Sequence, residues 1–194
     1  MQTDMTVGKP MKMLLNFTIP VFLGNVFQQL YSMADAVIVG KFVGTKGLAA
    51  VGATGTITFL IIGFLMGVTT GVTVLTSQKF GAGRMDEMRK TVGNAAILSA
   101  VIAVVMTAVS MLGMHRLLVF MHTPEDIFDG AYGYIMIICA GIFTQVLYNL
   151  VSSILRALGN SKTPLYFLIL AAGLNIVLDL VFIIFFHWGA PGAA

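Results

Sequence analysis

Five long apolar runs constrain this chain more than any other feature of its sequence. They lie near 13–38, 48–78, 92–114, 127–155 and 164–188. A helix of about 20 apolar residues crosses the hydrocarbon core of a bilayer, so each run is long enough to span a membrane. Strands of a membrane barrel need only about 10 residues. The runs therefore predict an all-α fold, a polytopic bundle of transmembrane helices.

The overall composition excludes several other classes of protein. The chain is 58% hydrophobic and only 10% charged, whereas soluble domains carry about a quarter charged residues. A soluble enzyme is therefore a poor interpretation. The net charge of +3 is small and its cations are scattered between the apolar runs, which argues against a nucleic-acid partner. Cys139 is the single cysteine, so no disulfide can form within the chain.

The lysine and arginine residues fall unevenly on the two sides of the bundle. Cytoplasmic loops of membrane proteins carry the excess of these residues. We therefore predict a multi-pass protein of the cell membrane with a cytoplasmic tail at 1–12, a membrane domain at 13–188 and an extracytoplasmic tail at 189–194. Eight cations lie on the N-terminal side and three on the other, namely Lys9, Lys12, Lys79, Arg84, Arg89, Lys90, Arg156 and Lys162 against Lys41, Lys46 and Arg116.

Turn-forming residues mark the ends of two of the spans. Thr123 and Thr163 each precede a proline, a pattern typical of an N-cap followed by the first helical residue. Gly159 follows the fourth apolar run and predicts a left-handed residue at the end of that helix.

Glycines recur at helical spacing in the second span. Gly63, Gly67 and Gly71 form two overlapping GxxxG patterns. Small residues at this spacing let two membrane helices approach closely. We predict ordinary tight packing at this surface, with a sliding surface for conformational change as the alternative.

Two aspartates lie inside apolar runs, where a carboxylate is costly. Asp35 is in the first run, and Asp179 is in the fifth with Asn175 one helical turn before it. A charge at the bilayer centre costs at least about 2.5–3.5 kcal/mol, and such residues usually face a bundle interior or an ion pathway. Both spans run outward in the predicted topology, so the two carboxylates are expected toward the outer leaflet. There they could share one cavity. A hydrogen bond between helices, or for Asp35 an interfacial position, is the alternative.

Five stretches of the sequence resemble the multidrug and toxic compound extrusion (MATE) transporters. The resemblance covers essentially the whole chain and matches about five of the six helices of that family's N-terminal lobe. It implies two six-helix lobes that open alternately to either side of the membrane, and export of cationic or amphipathic compounds in exchange for protons or sodium. The stretches are YSMADAVIVGKFVG, GLAAVGATGTITFLIIGFLMGVTTG, SQKFGAGRMDEMRK, RALGNSKTP and NIVLD.

The resemblance also implies roles for particular residues. Asp35 and Asp179 would be the coupling carboxylates, with Asn175 as their hydrogen-bonding or ion-ligating neighbour. Gln28 also matches a polar position of the family's site, on the same helix face as Asp35 because it lies seven residues earlier. Tyr134 is a looser match in the fourth span.

The matching proline is Pro20, at a position where the family's first helix can bend. A proline in a membrane helix needs no such role, so both interpretations stay open.

The chemistry of the predicted site fits ion coupling. Two carboxylates in a poorly hydrated pocket do not both ionise easily, so one of them can take up a proton. Asp35, Asn175 and Asp179 could instead bind sodium through their oxygens. The sequence does not choose between proton and sodium, and it indicates no other cofactor. We find no nucleophile with a neighbouring base, and the three histidines, expected in separate outer loops, lack the spacing of metal ligands.

The sequence departs from the family pattern at its end. It stops just after the fifth span, so the sixth helix and the C-terminal lobe are missing and the chain is expected to be a fragment. Three functions remain open: drug or cation antiport by a partial chain, a related lipid-linked oligosaccharide or polysaccharide flippase, and a non-transporting membrane polypeptide or assembly partner. The carboxylate pattern and the lack of a basic cavity lining favour the first. The expected partners are membrane lipid, small cationic or amphipathic substrates and the missing lobe.

Overall fold

The fold is a bundle of long helices, seen in a computed structural model that describes residues 10–194. No strand occurs among these residues. All five α-helices are long and apolar enough to cross a membrane, which confirms the predicted all-α, multi-pass architecture. The helices are α1 (Pro10–Phe42), α2 (Thr45–Gly81), α3 (Met85–Phe120), α4 (Glu125–Ala157) and α5 (Lys162–Leu180), followed by a π-helical turn (Val181–Phe185) and a 3-10 turn (Ala190–Ala193).

The helices do not end where the apolar runs end. The first four extend beyond the predicted spans, α3 by seven residues at its start, because polar residues at the membrane surface continue a helix that the hydrocarbon core does not require. The fifth span ends earlier than the predicted residue 188. Its π-helical turn stops at Phe185, and the backbone N–H of Trp188 then donates to the Phe182 carbonyl at 3.2 Å. The rings of Phe182 and Trp188 stack at 4.9 Å, which holds this reversal of the chain.

Two of the predicted helix caps are wrong. Helix α4 starts directly after Pro124 without a side-chain cap, so Thr123 does not cap it. At the start of α5 the N-cap position is Ser161, and the capping hydrogen bond comes from Asn160, one residue earlier. Its Oδ1 accepts the backbone N–H of Thr163 at 3.1 Å while its Nδ2 donates to the Thr163 hydroxyl at 2.9 Å. An asparagine carbonyl is a stronger cap than a threonine hydroxyl. Gly159 has φ of 78°, which confirms the predicted left-handed end of α4.

Helices α2, α3 and α4 pack together as a trio around the main core. The side chains of Leu65, Leu118, Ile135 and Cys139, one or more from each helix, are 0–2% exposed. Outward-facing side chains are apolar as well, for example Leu112, which is 83% exposed. A surface of this kind suits contact with lipid tails.

Helices α1 and α5 pack against each other as a parallel pair. Near the start of the pair, Gly24 faces Leu165 and Leu168, with 3.6 Å from its ideal Cβ position to the nearer side chain. Eleven residues further along each helix, a rise of about 16 Å, the pair reaches the level of Asp35 and Asp179. The pair therefore aligns the two aspartates at one level of the bundle, and a cleft separates much of the pair from the trio.

The glycine stripe of α2 does not pack against another helix of this chain. Gly63, Gly67 and Gly71 are exposed, and a Cβ atom at any of them would meet nothing within 4 Å among the described residues. The predicted tight packing is wrong for the part of the chain that the structure describes. The opposite face of α2 packs instead, with apolar side chains and threonines such as Thr69, whose hydroxyl donates to the Leu65 carbonyl at 3.1 Å.

The segment predicted as an outer tail packs onto the bundle. Ala190 and Ala193 are 4% and 6% exposed and contact the trio and the pair. A Cβ atom at Gly133 of α4 would lie 2.9 Å from Cγ of Pro191, so only glycine allows this approach. At the other end, the predicted cytoplasmic tail overlaps α1 at residues 10–12, and its remainder lies outside the described residues.

Candidate functional site

The α1–α5 pair brings the two predicted carboxylates together. Their carboxyl groups are close enough to interact directly. Asp179 is 3% exposed, and Asp35 is partly buried. Two aspartates that are 144 residues apart in the sequence (35 to 179) therefore form one local cluster. Two negative charges this close to each other repel strongly in a poorly hydrated site. The arrangement is therefore more stable when the two carboxyl groups share a proton or another cation.

Three acceptor oxygens of this cluster have no hydrogen-bond partner among the described residues. They are Oδ1 of Asp35, Oδ1 of Asn175 and Oδ2 of Asp179, and each is sealed from solvent. Buried polar atoms are nearly always hydrogen-bonded, so an unpaired one calls for an explanation. Three unpaired acceptors in one cluster form a group that a cation would satisfy, because an acceptor needs a donor proton or a positive charge.

A cavity of about 520 Å³ adjoins this cluster, in the cleft between the pair and the trio. Four of the residues predicted for the site line it: Gln28 and Asp35 from α1, Tyr134 from α4 and Asn175 from α5. Asp179 does not line the cavity, but it interacts with Asp35, which does. The structure thus joins all five predicted polar residues in one region.

The remaining predicted residue, Pro20, lies elsewhere. It is buried within α1, which continues through it as a helix, and it lines a second cavity toward the start of α1. Proline has no backbone N–H, so the carbonyl of Asn16 lacks its helical donor there. This weakness in the helix is compatible with bending at that point.

Sequence reasoning missed three polar residues of the cavity. Tyr31 and Ser32 lie between Gln28 and Asp35 on the same face of α1, and Gln145 lies in α4. The spacing contained the signal in each case. Tyr31 precedes Asp35 by four residues, and Gln145 follows Tyr134 by eleven, or three helical turns, so each pair shares a helix face.

The histidines are not all in outer loops as predicted. His115 lies within α3, and its ring packs edge-on against Phe128 and Tyr132 of α4, with centroids 5.3 Å and 5.8 Å away. Within residues 10–194, no three His, Cys, Asp or Glu side chains are grouped as metal ligands.

Comparison with known proteins identifies the family. The MatE family model matches residues 20–181, which cover most of the chain and all of the site described above. The chain belongs to the MatE family. The resemblance seen in the sequence is thereby confirmed, and the helix bundle is that of a MATE lobe.

Several of the relatives are named as probable multidrug resistance proteins. The chain is 33% identical over 191 residues to the probable multidrug resistance protein YpnP of Bacillus subtilis strain 168, with 98% of the chain and 43% of that protein covered. A solved structure of an outward-facing multidrug resistance MATE family transporter of the MOP superfamily is 30% identical with a TM-score of 0.91, covering 96% of this chain and 41% of the other. A MATE structure in the bent conformation has a TM-score of 0.89 at 30% identity and covers 96% and 42%. The chain thus spans about two fifths of the length of these relatives.

Proposed function

We propose that this chain carries the cation-coupling site of a secondary multidrug transporter, which exchanges drugs or other cations for protons or sodium across the cell membrane. The observation behind this proposal is the cluster of three unpaired acceptor oxygens on Asp35, Asn175 and Asp179. A purely structural carboxylate pair would be expected to have donors for these atoms. The cluster has none among the described residues.

Either coupling cation would satisfy the cluster in a definite way. A proton shared between Asp35 and Asp179 removes the repulsion between two carboxylates. A sodium ion is a hard cation that prefers oxygen ligands, and the carboxylates together with the Asn175 amide oxygen supply three of them. In both cases the bound cation draws α1 and α5 together, because its ligands come from both helices.

The adjoining cavity suits a cationic or amphipathic substrate. Its volume of about 520 Å³ falls within the range of small-molecule pockets. Apolar side chains of α2 and α4 line one part, while Asp35 contributes the carboxylate that a cationic drug would need. Because the cation and the drug would meet the same carboxylate, binding of one would disfavour the other, which is the basis of antiport. The multidrug resistance names of the relatives favour drug efflux over a flippase.

Bending of α1 would couple binding of the cation to the size of the cavity. Protonation or sodium binding at Asp35 and Asp179 pulls the later part of α1 toward α5, and the missing helical hydrogen bond at Pro20 permits the bend. The movement narrows the cavity and releases the drug outward. We place the N-terminus in the cytoplasm, and we assign to a second lobe the opposite wall that transport requires.

Efflux of a fluorescent cationic dye from cells tests this proposal. The chain should be expressed as it is, and also within the complete reading frame of its gene. Asp179→Asn should abolish dye export from the transporting form while its membrane expression stays intact. Asp129→Asn is the matched control, since Asp129 is an exposed aspartate of α4. Unchanged efflux in the Asp179→Asn variant would refute the coupling role.

A further inference from the structure

A second cavity lies in the same cleft, at the end of the bundle where α5 begins. Its volume is about 270 Å³, and helices α1, α2, α4 and α5 all contribute to its wall. Gln28 and Gln145 line both cavities, so the two cavities adjoin there. Asp35, Asn175 and Asp179 do not line the second cavity, whose wall therefore carries a different set of polar groups.

Arg156 lines this cavity without a carboxylate partner among the described residues. Some other cations at this end of the bundle do have partners. Lys79 and Arg84 both pair with Glu87, and Arg84 lies 3.5 Å from it. Among the described residues, no aspartate or glutamate lines the second cavity. The guanidinium therefore supplies a positive charge that the described residues leave uncompensated. The expected lack of a basic cavity lining is thus wrong for the second cavity, although no described lysine or arginine lines the cavity beside Asp35.

Two serines add hydroxyl groups to the same wall. Ser153 and Ser161 are 7% and 6% exposed, and both line the cavity. Neighbouring groups are fixed in place. The Tyr148 hydroxyl donates to the Pro164 carbonyl at 3.4 Å, and Nδ2 of Asn149 donates to the Gln145 carbonyl at 2.9 Å. The Tyr148 bond holds α4 against α5, and the Asn149 bond fixes that side chain on α4.

We propose that this cavity binds a phosphate group, supplied by a lipid headgroup or by a soluble phosphate compound. The planar guanidinium of Arg156 matches two phosphate oxygens at once. The Ser153 and Ser161 hydroxyls donate to the remaining oxygens. Arg156 lies in the last turn of α4, near the depth at which the headgroups of a bilayer begin. A bound phosphate would connect the α1–α5 pair to the trio where the cleft leaves them apart.

The single cysteine allows a direct assay on the full 194-residue chain in neutral detergent. Cys139 is 0% exposed, so a thiol-reactive dye reports its release on heating. Unfolding midpoints are measured while phosphatidylglycerol is titrated into the micelles, and separately while inorganic phosphate is titrated against chloride at matched ionic strength. The midpoint rises with occupancy, which gives an apparent affinity.

We expect the unfolding midpoint of the wild-type chain to rise as the probe is added, and this rise should depend on Arg156. Arg156→Gln should weaken the apparent affinity by about tenfold or more, since a charged hydrogen-bonded contact is lost. Lys162→Gln removes a nearby cation that does not line the cavity and should leave the affinity unchanged. A rise with phosphatidylglycerol alone assigns the site to a lipid headgroup, whereas a rise with inorganic phosphate as well assigns it to any accessible phosphate.

Three results would overturn the proposal. The first is no rise of the unfolding midpoint with either phosphatidylglycerol or inorganic phosphate. The second is an equal rise of the midpoint in the wild-type and Arg156→Gln chains. The third is a Lys162→Gln chain that loses as much apparent affinity as the Arg156→Gln chain. If Arg156→Gln does not fold, the double variant Ser153→Ala with Ser161→Ala decides, because it keeps the charge and removes only two hydroxyls. Its affinity should fall about tenfold, and an unchanged affinity would overturn the site.

Discussion

Replacing Asp179 by asparagine should stabilise the isolated chain while it destroys the proposed coupling site. Asp179 is 3% exposed, and its Oδ2 atom has no hydrogen-bond partner among the described residues. An unsatisfied buried polar atom costs about 1–3 kcal/mol, and more when it is charged. Asparagine has nearly the same shape, carries no charge, and brings an Nδ2 donor within reach of Asp35. We therefore expect a gain of about 1–3 kcal/mol in the free energy of unfolding.

This gain is large enough to measure by thermal unfolding. For a chain of this size, 1 kcal/mol shifts the midpoint by about 2–4 °C, so the variant should unfold about 2–12 °C higher. The assay follows the reaction of buried Cys139 with a thiol-reactive dye, in neutral detergent without sodium at pH 8. Asp129→Asn is the control, and its midpoint should stay within about 1 °C of the wild type because a surface substitution has little effect.

The opposite result would refute the reasoning about unpaired oxygens. If Asp179→Asn lowers the midpoint, the carboxylate makes a stabilising contact that asparagine cannot replace, and the cluster is then structural. If Asp179→Asn shifts the unfolding midpoint only as much as Asp129→Asn does, burial of the Asp179 carboxylate costs no free energy of folding.

Three further predictions test the packing and the topology. Ile135→Ala in the core between α2, α3 and α4 should lower the free energy of unfolding by about 2–5 kcal/mol. Ile137→Ala, at a side chain that is 39% exposed, should lower it far less in the same thermal assay. Equal losses of stability would contradict the core assignment. Gly133→Leu should lower the unfolding midpoint because the new side chain would collide with the 3-10 turn. Gly141→Leu should not lower it, because a Cβ atom at Gly141 meets no described atom within 4 Å. Equal midpoints of the two variants would show that the turn does not pack against Gly133. Lys46→Cys should react with a membrane-impermeant thiol reagent in intact cells, and reaction only after lysis would reverse the proposed orientation.

The sequence predicted the helices because a membrane imposes one strong rule. Every backbone polar group must be paired within the bilayer, so long apolar runs become helices. Their ends were harder to place. The apolar pattern marks the hydrocarbon core, while α3 continues into polar residues such as Asp86, and α5 gives way to a π-helical turn after Leu180.

The residues of the proposed coupling site could be singled out for a similar reason. Asp35 and Asp179 stand out because a carboxylate in an apolar run is costly, and Gln28 follows from helical spacing. Their contact also needed the parallel packing of α1 on α5, which a single sequence does not contain. The glycine stripe illustrates the limit, because Gly67 predicts that a helix approaches closely but does not identify which one.

The phosphate site was beyond prediction because its parts are unremarkable in the sequence. Arg156 counts as one of several cations near a helix end, and Ser153 is an ordinary polar residue of a membrane helix. Only the fold shows that the guanidinium lacks a carboxylate partner among the described residues and that the serine lies beside it.

The central claim is that Asp35, Asn175 and Asp179 bind the coupling cation, and a cation titration of thermal stability tests it most directly. Sodium chloride is titrated against choline chloride at fixed pH, and proton concentration is varied in a second series. At least one of the two cations should stabilise the wild-type chain, by about 2.7 kcal/mol at a hundredfold excess over its dissociation constant. Asp35→Asn and Asp179→Asn should each lose that response, and Asp129→Asn should keep it. A wild-type chain whose response to both cations equals that of the two variants would contradict the account.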